Sequence, residues 1–385
     1  MFALYACTGT VPHKPAEEKP AAPAVEAVQP TEPLPPTEIE PIVPEVAELL
    51  PEGERVPHIA LLLPMQSPGF GPAAEAVQRG FLAAASYGRL QWPVRLYNEQ
   101  AENGSVYKTY RQAIANGARA VVGPLTRDGV NALAAETNIP VPTLALNVAD
   151  GEHAPQLYFF GMAIEEEARQ IARIAAQQGM RQAIIVGVGT SLSQRLRTAF
   201  EEQWSADGRG VLRVIEYSKD PSVFADIGDM TDTMVFLATG AGQARLLRSY
   251  LPARAPVYAT SQVFSGNTNT LTNYDLNGIR FVDMPWLLQP DHPAVMIYQR
   301  AEPPLPIDRE RLYALGVDSF RLVLLMLTER VSARMPLDGV SGRIRLQGQT
   351  FVREGVQARF IEGRAVAGDA DIVPTVQMFP EQQVR

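Results

Sequence analysis

The sequence predicts an α/β protein of two doubly wound, parallel-sheet lobes around a cleft, preceded by a disordered Pro-rich tail. Three observations predict it. From His58 onward, short apolar runs alternate with stretches of helix-spaced apolar residues, the signature of βαβ units. The alternation runs through once to about residue 160 and then starts again, as expected for two lobes. Ahead of it the composition is different in kind: 12 of the 32 prolines fall between Val11 and Pro57.

The elements follow in order. His58-Ile59-Ala60-Leu61-Leu62-Leu63 is a continuous apolar run, which suits a strand covered on both faces, and it ends in the loop "MQSPGFG". A helix should follow with Pro72 in its first turn, because Ala73, Ala76, Val77, Gly80, Phe81 and Ala84 recur at helical spacing. "VRLYNEQ" (94–100) reads as a strand, and Val106, Tyr110, Ala113 and Ile114 mark the next helix. "ARAVVGP" (118–124) is a strand with a turn. A helix bearing Val130, Leu133 and Ala134 leads to the strand "VPTLALN" (141–147).

"LYFFGM" (157–162) is the expected crossover. A helix over 164–178 places Ala168, Ile171, Ala172 and Ala175 on one face, and the strands "QAIIVGV" (182–188), "VLRVIEYS" (211–218), "TMVFLAT" (233–239) and "PVYATSQ" (256–262) follow. A helix over roughly 309–331 carries Leu312, Leu315, Phe320, Val323, Leu324 and Leu327. The run from 339 to 366 reads as short antiparallel strands joined at glycine turns.

Charge is concentrated in the tail. Residues 1–57 hold ten Glu, no Asp and only Lys14, Lys19 and Arg55 as cations, and so carry −7 of the net −8. The folded part is nearly neutral, so no nucleic-acid partner is expected. Proline removes backbone donors and like charges extend the chain, which points to a polyproline-like tether. About 50 residues could reach on the order of 150 Å if fully extended.

Cys7 is the only cysteine, which rules out a disulfide within the chain and a thiolate metal cluster. Leu4-Tyr5-Ala6-Cys7 resembles a lipobox, the site where a bacterial lipoprotein is cleaved and acylated. Tyr5 is bulkier than the small residue usual there. Six residues precede Cys7, without a basic stretch, so the true signal peptide is expected to begin upstream. By the same resemblance, Thr8 after the cysteine favours the outer membrane, periplasmic face.

Three stretches resemble type I periplasmic binding proteins: "IALLLPMQSPGFGPAAEAVQRGFLAA" (59–84), "ARAVVGPLTRDGVNALA" (118–134) and "GVSGRIRLQGQTFVREGVQARFIEGRAV" (339–366). The likeness narrows to the LppC family through "YATSQVFSGNTNTLTNYDLNGIRFVDMPWLL" (258–288) and "RLYALGVDSFRLVLLM" (311–326). It covers roughly residues 57–372. The resemblance implies an outer-membrane lipoprotein that activates a class A penicillin-binding protein. Larger members carry a helical-repeat domain ahead of this module, where this chain has its Pro/Glu tail, so functions of that domain are expected to be missing.

By the fold's pattern the chain divides into a signal remnant and lipobox (1–7), a tether (8–56), a bilobed module (57–372) and a tail (373–385). Lobe one is expected from 57–160 and 262–338, and lobe two from 161–261 and 339–372. In solute receptors of this fold, hydroxyls and amides at strand ends grip a carboxylate and an acid holds an ammonium. The matching positions are Ser67, Thr126, Asn147, Ser191, Thr260 and Ser261, with Glu99, Asp150 and Asp283 near strand ends. They either bind a small polar ligand or close turns and cap helices. The Asn/Thr-rich loop 265–277 is either solvated or contacts a partner. Trp286, Leu287 and Leu288 are expected in the core, with an interface anchor as the alternative.

Enzyme signatures are missing: there is no His-Glu-x-x-His, no Gly-x-Ser-x-Gly and no phosphate-binding Gly-Lys-Ser/Thr loop. His13, His58, His153 and His292 are scattered along the chain, and Glu165, Glu166 and Glu167 sit at a predicted helix N-terminus, where they favour the helix dipole. No cofactor or metal is expected. The leading reading is therefore a non-catalytic regulator of cell-wall synthesis, with a periplasmic receptor for an amino-acid-like solute as the alternative.

Overall fold

The computed structural model describes residues 55–87, 92–99, 105–227, 230–268 and 270–368. Cys7, nearly all of the tether and the C-terminal tail lie outside these residues.

The first sheet grows from β1 (His58–Leu63), β2 (Val94–Asn98), β3 (Ala118–Val122), β4 (Thr143–Ala145) and β5 (Leu157–Phe159), linked through α1 (Gly71–Tyr87), α2 (Ser105–Ala115) and α3 (Arg127–Ala134). All pairings among these strands are parallel. Alternation along β1 explains why its run is apolar throughout. Ile59, Leu61 and Leu63 enter the core beneath α1, while Ala60 and Leu62 enter a second core with Val106 and Tyr110 of α2 and Val130 and Leu133 of α3.

The second sheet follows, with α4 (Ile164–Gln177), β6 (Gln182–Gly187), α5 (Ser191–Ala206), β7 (Gly210–Glu216), β8 (Thr233–Ala238), α6 (Ala241–Arg248), β9 (Val257–Ala259), the short α7 (Thr270–Asn273) and β10 (Arg280–Asp283). Ile184 and Val186 of β6 pack on the α6 side, and Ala183 and Ile185 pack against α4 and α5. The chain then returns to the first lobe through α8 (Pro285–Leu288), α9 (Pro293–Met296), α10 (Ile307–Leu327) and α11 (Val331–Arg334). It continues as β11 (Leu337–Asp338), β12 (Arg343–Gln347) and β13 (Thr350–Glu354), and ends with β14 (Val356–Ile361) and β15 (Arg364–Ala367).

The sheet orders are β11-β12-β13-β5-β4-β3-β1-β2 and β15-β14-β10-β9-β8-β6-β7. Each sheet is parallel in its body and ends in an antiparallel ribbon.

Two of the three lobe boundaries differ from those expected. Residues 262–283 belong to the second lobe, because "RFVD" forms β10 beside β9 and puts Phe281 and Val282 into that lobe's cores. Residues 339–354 belong to the first lobe, because β12 and β13 form a hairpin and Thr350 of β13 pairs with Phe159 of β5. The glycine-turn pattern looks continuous from 339 to 366, yet the crossing is at Gly355. A Cβ there would come within 2.9 Å of the Asp283 carbonyl oxygen, so the second and third crossings run side by side.

The first lobe is held by α1 crossing α10. A Cβ on Gly80 would lie 1.9 Å from the Tyr313 carbonyl oxygen, and one on Gly316 would lie 2.1 Å from that of Val77. Reciprocal glycines let the two backbones touch, with Phe81 edge-on to Phe320 at 5.4 Å next to the contact.

Candidate functional site

The loops after the strands place the expected ligand-binding residues, and three of the six side chains, those of Ser67, Thr126 and Asn147, are occupied by the chain itself. Ser67 closes the turn into α1: its Oγ accepts the Phe70 N–H at 3.3 Å and its carbonyl accepts the Gly71 N–H at 2.7 Å. Thr126 is buried and caps α3, accepting the Gly129 N–H at 3.1 Å and donating to Glu99 Oε1 at 2.6 Å. Asn147 donates to the Leu125 carbonyl at 3.3 Å and accepts the Val148 N–H at 3.0 Å. Thr126, Asn147 and Glu99 therefore meet around Leu125, whose own N–H donates to Glu99 Oε2 at 3.4 Å.

In the second lobe Ser191 is exposed at the start of α5, and its neighbour Thr190 makes the cap, accepting the Ser193 N–H at 3.2 Å. Thr260 and Ser261 are buried at the end of β9, and Thr260 Oγ1 has no hydrogen-bond partner among the described residues. Asp150 is exposed.

Glu99 is held at the N-terminus of α3 with almost no access to solvent. Burial pushes its carboxyl above the ordinary glutamate range, against the pull of the hydrogen bonds from Thr126 and from the Leu125 N–H. A raised native pKa means that the folded chain holds this proton more tightly than the unfolded chain. The stabilisation is fully present below the unfolded glutamate value and is lost as pH rises through the folded one. Relative to Glu99→Gln, the wild-type melting temperature should therefore fall as pH rises above the ordinary glutamate range and level off once the folded carboxyl has ionised. Melting temperatures of the two proteins that run parallel with pH would show that the Glu99 carboxyl is not raised.

Sequence reasoning missed a set of buried ion pairs that ties the lobes together. Arg311 of α10 reaches out of lobe one to fork Asp283 at the end of β10, at 3.1 Å from Nε and 2.7 Å from a terminal nitrogen. The same nitrogen donates to the carbonyls of Ser261 and Phe264, both at 3.0 Å. Glu167 of α4, in lobe two, pairs with Arg353 of β13, in lobe one, at 2.9 Å, and its other oxygen accepts the Ser261 N–H at 3.0 Å. Beside them, the Gln170 amide forks Gly355, donating to its carbonyl at 2.8 Å and accepting its N–H at 3.0 Å. All four charged side chains are 7 % exposed or less. Burial lifts the Asp283 carboxyl, and Arg311 works against that lift. In this arrangement Ser261, expected to face a ligand, is clamped on both backbone atoms by the chain's own ions.

A signal for this set was present in the sequence. Arg311 lies in helical register with Ala314, Leu315 and Leu322, and Glu167 with Ile171 and Ile174. A charge on an apolar stripe calls for a buried partner. The other two acids of α4 face outward, Glu165 to Arg195 at 2.6 Å and Glu166 to Arg169 at 2.5 Å.

The Asn/Thr-rich loop is largely structural. Asn267 grips the Ala365 backbone by both amide atoms, Asn273 is buried against the Gly266 carbonyl, and Asn277 accepts the Gly363 N–H at 2.9 Å. Leu271 and Tyr274 remain exposed on it. Trp286 is fully buried and donates to Glu310 at 2.7 Å, Leu288 is buried and Leu287 partly so.

The family model described as "LppC putative lipoprotein" matches residues 45–232 and 225–359. A Haemophilus influenzae protein named penicillin-binding protein activator LpoA is 27 % identical over 299 residues, covering 74 % of this chain and 51 % of the relative. This chain spans about half the length of the curated relatives it matches. A Chromobacterium violaceum structure described as a putative branched-chain amino acid ABC transporter is 38 % identical, with TM-score 0.69, over 79 % of this chain and 99 % of that one. The C-domain of Haemophilus influenzae LpoA, described as a regulator of PBP1A, superposes with TM-score 0.69 at 23 % identity over 81 % of this chain and 99 % of that one. Two parallel-bodied lobes joined by three crossings, and a family match running through nearly all of both, lead to one assignment: the chain belongs to the LppC putative lipoprotein family.

Proposed function

We propose that this chain is a non-catalytic regulator that binds and activates a class A penicillin-binding protein, held at the periplasmic face of the outer membrane by a lipid on Cys7. One structural observation carries the regulatory part. Most of the positions where a receptor of this fold would hold a solute carry internal contacts, with the Ser261 backbone between Arg311 and Glu167 and the Thr126 hydroxyl on Glu99, while Ser191 is exposed and Thr260 Oγ1 has no partner among the described residues. Buried ion pairs between lobes oppose the opening and closing that solute capture requires. The kind of partner is supported by the curated relatives, which are named as activators of penicillin-binding proteins. No helix among the described residues is long and apolar enough to cross a membrane; in this reading a lipid on Cys7 supplies the attachment. The Pro/Glu segment serves as the tether that carries the module toward the wall.

The Chromobacterium violaceum structure favours a second reading, a receptor for a small polar solute in which Ser67, Thr126, Asn147, Ser191, Thr260 and Ser261 line the site. One reconstitution separates the two. The protein is added to the organism's class A penicillin-binding protein acting on lipid II, and the fraction of cross-linked peptides is read. A rise that survives Ser67→Ala with Ser191→Ala is expected. No change, with the protein shown to be folded by circular dichroism, puts the receptor reading first.

A further inference from the structure

Lobe one carries a groove lined by α1, by residues 299–302 and by α10, and it shares no lining residue with the candidate ligand positions or the inter-lobe ion pairs. It has a volume of about 740 Å³, within the roughly 300–1,000 Å³ of small-molecule sites. Arg79, Ser86 and Tyr87 of α1 form one wall, Arg300 and Glu302 the other, and Tyr313 of α10 the floor.

The groove is built rather than incidental. Arg300 lies 3.8 Å over the Trp286 ring and donates to the Trp286 carbonyl, and Trp286 stacks on Tyr313 at 5.2 Å. The Tyr313 hydroxyl donates to the Gln299 carbonyl at 2.8 Å, and burial pushes its pKa up to about 12, so it keeps its proton. Arg79 donates to the Glu302 carbonyl at 3.0 Å and joins the two walls. The Tyr87 ring meets Tyr298 edge-on at 5.7 Å. Arg300 also faces Glu310 at 3.8 Å, and it keeps 43 % of its side chain exposed despite this packing.

The chemistry of the lining selects its ligand. A guanidinium on each wall binds carboxylate, since Arg matches that group with a planar fork of donors. Tyrosine rings offer apolar faces with polar tips to a compact organic body. Glu302, exposed on the rim, suits an ammonium. Two carboxylate sites, one ammonium site and aromatic faces within one groove describe a short zwitterionic peptide with more than one free carboxylate.

We propose that this groove binds the short, carboxylate-rich peptide that branches from the peptidoglycan strand. The carboxylate chemistry rests first on Arg79, whose partner is a neutral carbonyl, and second on the exposed part of Arg300, which already shares Glu310; the choice of a wall peptide over other acidic peptides rests on the reading that the chain works at the wall. Occupancy would report the presence of uncross-linked peptide to a regulator of the enzyme that consumes it.

Calorimetry of the full chain with a disaccharide-tetrapeptide prepared from wall digests tests this. Saturable binding is expected, weakened about tenfold by Arg79→Gln, in line with loss of one charge-assisted hydrogen bond. Amidation of the peptide carboxylates should weaken it similarly, and Ser86→Trp, which fills the groove, should abolish it. Unchanged thermal melting of Arg79→Gln guards against misfolding. No saturable binding at millimolar peptide overturns the proposal, as does equal binding by wild type and both variants. Equal binding of an all-L peptide with the same carboxylates overturns the wall-peptide source. The reconstitution described above is read separately: activation without peptide binding sinks the groove alone, and peptide binding without activation sinks the regulatory reading alone.

Discussion

Gly316→Ala and Gly80→Ala should each destabilise the protein, although both add a better helix former to a helix interior. Helix propensity alone favours alanine by about 1 kcal/mol. Packing opposes it. The added methyl at 316 would lie 2.1 Å from the Val77 carbonyl oxygen and 2.8 Å from the Phe81 nitrogen, and at 80 it would lie 1.9 Å from the Tyr313 carbonyl oxygen. The obstacles are backbone atoms of the facing helix, which no rotamer change can clear. The helices must separate, and the contacts of Phe81, Phe320 and Val323 in the same core loosen together. Overpacking costs about 1–3 kcal/mol and occasionally more, and a clash with backbone atoms belongs at the upper end of that range, so a net loss of about 2 kcal/mol is expected from urea unfolding midpoints. Gly242→Ala is the internal control, because α6 leaves open space around that position. It should gain up to about 1 kcal/mol. A stabilised Gly316→Ala protein would falsify the close crossing of α1 and α10.

What could be read from the sequence follows from what kind of signal each feature leaves. β1 was legible because every residue of "HIALLL" is buried on one face or the other, and α1 because Ala76, Val77, Gly80, Phe81 and Ala84 keep helical spacing along the buried side. β10 was not: "RFVD" is four residues long and follows an Asn/Thr-rich stretch that reads as loop. The lobe boundaries failed for a related reason. Gly348 and Gly363 both turn hairpins, while Gly355 marks a crossing between sheets. Nothing local separates the two uses of glycine; the difference lies in which backbone approaches it. The site was legible as positions and not as roles. Thr126 and Ser261 do stand at strand ends, but what they face is decided by Glu99, Glu167 and Arg311, which come from distant parts of the chain.

Arg311→Met should be the most damaging single substitution at the junction of the lobes, with an expected loss of about 3–5 kcal/mol. Its removal strands the Asp283 carboxylate, which is 1 % exposed and loses both nitrogens of the fork, and leaves the Ser261 and Phe264 carbonyls short of a donor. Most of that loss is the cost of an unpaired buried charge. Adding Asp283→Asn to the same protein should therefore recover a substantial part, about 1–3 kcal/mol, since a neutral amide is far cheaper to bury. A double-mutant cycle from urea unfolding measures the coupling. A strictly additive double mutant would mean that Asp283 and Arg311 act independently, and the junction would need another account. The same variants bear on function. Asp308 also reaches Arg311, at 2.7 Å, but is exposed, so it cannot substitute for Asp283 inside the junction. If the ion pairs set the angle between lobes, Arg311→Met/Asp283→Asn should be folded yet broader in small-angle scattering than wild type. Should that looser protein also activate the synthase less, the regulator works through a fixed shape. Full activation by the looser protein would instead place the contact with the synthase on one lobe alone.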